Sequence, residues 1–114
     1  MEEEQGYIVE ITPEGELFYL QLLEYLYTHN SIRIADQKSD EILDMAMSLN
    51  KQPYRGKKEA KLAILGKDHR FLVYRYTPRK TIKIIYFIEE PDKKVYVTDF
   101  FPTEKDDGEI KERG

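Results

Sequence analysis

Two periodicities divide this chain. Up to about residue 50, apolar side chains recur at helical spacing. From residue 69 onward they alternate, or run together in short blocks bounded by Pro and Gly. The helical half opens with "YIVEI" (7–11), a short β-branched run that reads as a strand. Thr12 follows as a helix cap, Pro13 suits a first helical position, and Glu14 and Glu16 suit the positive end. Phe18, Leu22, Tyr25 and Leu26 then share one stripe, widened by Leu20 and Leu23, so a helix is expected over 13–29. Ser31 caps a second expected helix over 31–49. Its stripe is Ile34, Lys38, Ile42, Met45 and Leu49, with Ala35 and Ala46 beside it. A connection this short implies an antiparallel helical hairpin.

The texture changes at "NKQPYRGKK" (50–58), which reads as a loop. "EAKLAILG" (59–66) fits either a short strand or a helical turn. Strand-like runs follow at 69–77, 81–90 and 94–101. They are separated by "TPRK" and "EPDK", both of which place Pro where a type I turn accepts it. Helices grouped together beside a mainly antiparallel sheet make the fold class α+β, in the order β-α-α-β-β-β, with the helical hairpin on one face of the sheet. One domain over 1–105 and a charged, flexible tail over 106–114 complete the expected organisation.

Charge sharpens this picture. The net charge is −4, but it is unevenly placed. Residues 1–50 hold eleven acids and two bases, residues 51–83 hold eleven bases and two acids, and residues 84–114 hold nine acids and five bases. A basic middle between acidic ends is either a solvated face or a surface for an anionic partner. On alternating strands His69, Phe71, Val73, Arg75 and Thr77 share one side, as do Lys83, Ile85 and Phe87. Arg70, Arg75, Arg79, Lys80 and Lys83 are therefore the candidate target-binding or nucleic-acid-binding residues. Bases beside aromatics can hold a phosphate backbone and stack a nucleotide. Such a face could also steady the transition state of RNA cleavage without a metal.

Other chemistries fall away. There is no Cys, so disulfides and thiolate sites are excluded. The P-loop, dinucleotide, nucleophile-elbow and zinc-protease motifs are absent. His29 reads as a helix-end residue and His69 as structural or solvent-facing. Asp36, Asp40 and Asp44 share a helix face, which reads as solvated rather than metal-binding. No cofactor and no metal are expected. The acidic start "MEEEQG" is not a secretory signal, and no apolar run reaches membrane-spanning length, so a cytoplasmic location is expected.

The distributed pattern "YIVEITPEGELFYLQLLEYL", "LNKQPYRG", "HRFLVYRY", "IKIIYFIEE" and "VYVTDFFPTEKD" resembles the RelE/ParE superfamily of type II toxin–antitoxin toxins, also called plasmid stabilization proteins. The resemblance spans about residues 7–105. It implies two helices on a curved antiparallel sheet, a cognate antitoxin as partner, and a target that is DNA gyrase or the translating ribosome with its mRNA. A homodimer is compatible with it. RelE-like members cut mRNA; ParE-like members poison gyrase. The resemblance places Lys83 where RelE-like strands carry a catalytic Arg, and Arg75 near the family's basic residues on the preceding strand. These two are the candidate catalytic residues if the protein is an endoribonuclease. Lys at 83 gives up bidentate phosphate binding, and "FFPTEKD" lacks the further Arg, or His-Tyr pair, that RelE-like toxins bring to the site. The sequence reading therefore leans to a toxin that binds its target. A nuclease and a non-toxic binding module of the same fold are the alternatives.

Overall fold

The computed structural model describes residues 6–104 and Ile110. The chain runs through strand β1 (Ile8–Ile11), helix α1 (Pro13–His29) and helix α2 (Ile32–Met47). A loop region with short 3-10 turns contains strand β2 (Lys57–Lys58). Strands β3 (His69–Thr77), β4 (Lys80–Glu89) and β5 (Lys94–Pro102) follow. Both expected caps form: the Thr12 hydroxyl accepts from the Gly15 amide, and the Ser31 hydroxyl from the Ile34 amide.

The class is α+β, with two helices and one five-stranded sheet of order β1-β5-β4-β3-β2. The sheet is mixed rather than wholly antiparallel. β1 lies parallel to β5, because the helical hairpin between them carries the chain back before the meander β3-β4-β5 begins. The segment 59–66, ambiguous in the sequence, holds a 3-10 helix over Ala60–Leu65. Glu59 caps it, and Gly66 ends it in the left-handed conformation.

Both helices cover the same sheet face. Leu22 and Leu26 of α1, and Ala35, Ile42 and Ala46 of α2, pack with Leu49 on Tyr74, Tyr76, Ile82, Ile84, Tyr86, Val95, Val97 and Phe100. Gly15 sets the approach of α1 to β5, since a Cβ there would lie 2.5 Å from the Val97 carbonyl oxygen. The stripe expected for α2 is turned slightly: Ile34 is exposed, while Ala35, Ser39 and Ala46 face inward. Small side chains win that face because the tyrosines and isoleucines opposite already fill the space. Leu20 is likewise exposed rather than part of the α1 stripe.

Two β-bulges reset the alternation. Opposite Ile85 and Tyr86 of β4, β5 carries one extra residue, Thr98. The helix-facing positions of β5 therefore shift from Val95 and Val97 to Phe100. Phe101 then points to the opposite face, and both phenylalanines are fully buried. On that second face Leu62 of the 3-10 helix and Ile110 close over Ile85 and Phe101, with Phe71 at the edge. Ile110 belongs to the segment expected as a flexible tail, yet it is buried against the domain; the other tail residues lie outside the described ones.

Candidate binding face

The β3–β4 hairpin brings the candidate bases close in sequence and divides them in space. β3 and β4 pair Val73 with Lys83 and Arg75 with Thr81, so Arg75 and Lys83 lie on the face away from the helices. Arg70 pairs with Tyr86 and lies on the helix side. Its guanidinium spans Asp68 at 3.1 Å and the Tyr54 and Gly56 carbonyls at 3.1 Å, and it covers the Tyr54 ring. Arg70 therefore fastens the loop over 53–56 to the sheet, with four of its five N–H groups engaged there. The same loop is held by Tyr86, whose buried hydroxyl donates to the Pro53 carbonyl and accepts from the Gly56 amide.

Lys83 is committed as well. Its ammonium lies 3.0 Å from a Glu59 carboxylate oxygen and over the Phe71 ring at 4.3 Å. The two side chains are 17% and 4% exposed. The other Glu59 oxygen accepts from the Lys61 amide, so the same carboxylate caps the covering 3-10 helix and neutralises Lys83. Lys83 is thus a cation covered by the 59–65 segment and already paired.

Lys80 turns toward the helices. It donates to the Tyr25 hydroxyl at 3.0 Å and pairs with Glu104 at 3.7 Å. Tyr25 and then Glu104 raise its pKa, which keeps it charged. This group stands on the rim of a cleft of about 310 Å³ lined by Phe18, Leu22, Tyr25, Tyr76 and Phe100.

Arg75 and Arg79 remain at the hairpin tip. Both are exposed, and among the described residues Arg75 donates only to the Pro78 carbonyl of the turn. Exposed Val73 continues the strip beside Arg75, and Lys57, opposite Phe71 on β2, extends it. Beyond Phe71, β3 has no strand partner on its outer side among the described residues. The Tyr76 carbonyl accepts from Lys38 of α2, which closes part of that edge. The face thus offers two exposed guanidiniums with no carboxylate partner among the described residues, an exposed valine and an open strand edge. It does not offer a convergent set of bases around one point.

Elsewhere, Asp36, Asp40 and Asp44 are exposed on α2. Asp36 accepts from Tyr27, and no group of three or more His, Asp or Glu among the described residues is gathered for a metal. His69 is buried, with 5% of its surface exposed, rather than solvent-facing. Burial, and then Lys67, hold its pKa below the ordinary imidazole value. The Glu59–Lys83 pair has no signal in the sequence, because the two residues stand 24 positions apart, with a 3-10 helix and strand β3 between them. No helix among the described residues is long and apolar enough to cross a membrane. Comparison with protein-family models gives no match, and comparison with curated proteins gives none either.

Proposed function

We propose that the protein is the toxin-like member of a type II toxin–antitoxin pair of the RelE/ParE kind, and that it acts by binding a protein target rather than by cutting RNA. The arrangement of elements supports the family reading: a first strand, a helical hairpin on one face, and a meander whose last strand lies beside the first. The observation that carries the choice of mechanism is the Lys83–Glu59 pair. A ribonuclease of this design needs a free cation on β4 to hold the scissile phosphate. Here that cation is neutralised at 3.0 Å and covered. An RNA strand entering that face would have to displace both Glu59 and Leu62.

The working surface in this reading is the hairpin tip and outer edge, where Arg75 and Arg79 are free to meet an acidic protein surface and Val73 supplies apolar contact. Long-range attraction to such a surface speeds encounter and weakens as salt screens it. The antitoxin has the open edge of β3 and the cleft beside α1 available to it. Phe101, which an exposed sheet would leave for a partner to cover, is already enclosed by Leu62 and Ile110.

The test is induced expression in a bacterial host, with and without the product of the adjacent gene. Growth, translation and DNA supercoiling are read separately. Growth arrest with intact mRNA, relieved by the neighbour's product, agrees with the reading. Rapid mRNA cleavage at ribosomes would overturn the mechanism, and no growth effect would overturn the toxin assignment.

A further inference from the structure

The face away from the helices holds a second cleft, of about 290 Å³, that the proposed binding surface does not use. Thr12, Glu14, Leu65, Lys67, His69, Phe87 and Thr98 line it. Its floor comes from the sheet: β3 and β4 place His69 opposite Phe87, with the two rings edge-to-face at 5.1 Å. One wall is the end of the covering segment, with Leu65 and Lys67. The other is the first turn of α1, with Thr12 and Glu14.

Three features of this cleft are unanswered by the chain itself. His69 is 95% enclosed, and its Nδ1 has no hydrogen-bond partner among the described residues. An enclosed ring nitrogen without a partner is costly unless something outside the chain completes it. The Lys67 ammonium has no carboxylate within ion-pair distance among the described residues, and rests 4.5 Å from the centre of the Phe87 ring. Glu14 has no cationic partner among them either. It stands in the first turn of α1, where a negative charge is favoured.

The charges in the cleft constrain what fits. A phosphate dianion would meet Glu14, and a simple amine would meet Lys67. A molecule that carries both charges answers both walls, and Phe87 and Leu65 offer it an apolar floor and side. The volume is at the small end of ligand pockets, which begin at about 300 Å³. We infer that this cleft binds a small zwitterion of the α-amino-acid class. Lys67 holds the carboxylate, Glu14 holds the ammonium, His69 completes a hydrogen bond with it, and an aliphatic side chain lies on Phe87 and Leu65. The site is independent of the toxin reading, and its test does not involve toxicity.

Imidazole NMR of the full chain reads the site directly. His29, at the exposed end of α1, serves as an internal reference. L-leucine is titrated against isovalerate, which lacks the ammonium, and isoamylamine, which lacks the carboxylate. Leucine is expected to shift the His69 ring saturably while His29 stays still, and each single-charge analogue to bind about tenfold or more weaker. Lys67→Ala and Glu14→Gln, both at exposed positions, are each expected to weaken leucine by a similar factor with an unchanged circular dichroism spectrum. A His69 ring unmoved by leucine up to about 10 mM, a range that still detects weak binding, would overturn the inference. So would isovalerate binding as tightly as leucine, or either variant binding leucine as the native protein does.

Discussion

Lys83 and Glu59 meet at 3.0 Å beneath the 3-10 helix that covers the outer sheet face, and Glu59 is the more deeply enclosed of the two. One carboxylate neutralises the strand and caps the covering segment at once. Removing either partner leaves a charge in a poorly solvated place. Glu59→Ala and Lys83→Ala are each expected to destabilise the fold by about 3 kcal/mol, and the double variant by clearly less than the two together. Urea unfolding of the four proteins checks this. Additive single effects would mean that the pair is not coupled.

The covering segment is held mainly by one side chain. Leu62 is 1% exposed against Ile85, Phe101 and Ile110. Leu62→Ala is expected to cost about 2–5 kcal/mol. Amide exchange should rise first in residues 60–65, while the helices on the other face stay protected. Equal loss of protection in α1 and α2 would show that the two faces do not unfold separately.

Gly56 is fixed by a close approach. A Cβ there would lie 2.3 Å from the Tyr86 hydroxyl oxygen and 2.7 Å from the Phe71 carbonyl oxygen. Gly56→Ala is expected to break the Tyr86 bond to this loop and to cost about 2 kcal/mol. Tyr86→Phe should cost little more in that background, because the bond it would remove is already lost. A double variant that unfolds at much lower urea than Gly56→Ala would contradict this placement.

Acid sensitivity has a definite location. Glu90 accepts from the Tyr54 hydroxyl at 2.6 Å, from the Tyr7 hydroxyl at 2.9 Å and from Lys93 at 3.0 Å. Tyr54 first, then Lys93 and Tyr7, lower its pKa from 4.5 to about 2. A carboxyl depressed in the folded state stabilises the fold above its unfolded pKa, and that contribution is lost as pH falls from 4.5 toward 2. Glu41, lowered by Tyr74 and Gln37, acts in the same direction. His69 is neutral in the fold more readily than in the unfolded chain, so its part is lost as pH falls below 6.5. Melting curves across these windows should show Glu90→Gln weakening the lower one, where Glu41 still contributes, and leaving the upper one unchanged. A variant with the native acid profile would place that sensitivity elsewhere.

Much of this architecture is written locally in the chain. A hydroxyl ahead of Pro13 and another ahead of Ile32 cap the two helices, and the even-numbered positions of β3 and β4 face the helices as alternation requires. What is not legible depends on distant partners. The bulge at Thr98 sends Phe100 and Phe101 to opposite faces because of how β5 pairs with β4, and nothing at residue 98 announces it. Arg70 looks like its neighbours in sequence, yet alternation puts it on the helix side, where Asp68 and two carbonyls claim it. Lys83 fits a basic face until Glu59, 24 residues earlier, is brought over it. The bases read together in sequence are separated because each meets a different neighbour once the chain is folded.

The most direct test of the central claim is charge reversal at the two free arginines. Arg75→Glu with Arg79→Glu leaves the core untouched and should shift the urea midpoint little, since exposed charges contribute under about 1 kcal/mol. Growth is followed after induced expression of the native and double-variant proteins at matched levels. The account predicts that the native protein arrests growth and that the folded double variant does not. A folded double variant that arrests growth as strongly as the native protein would contradict it.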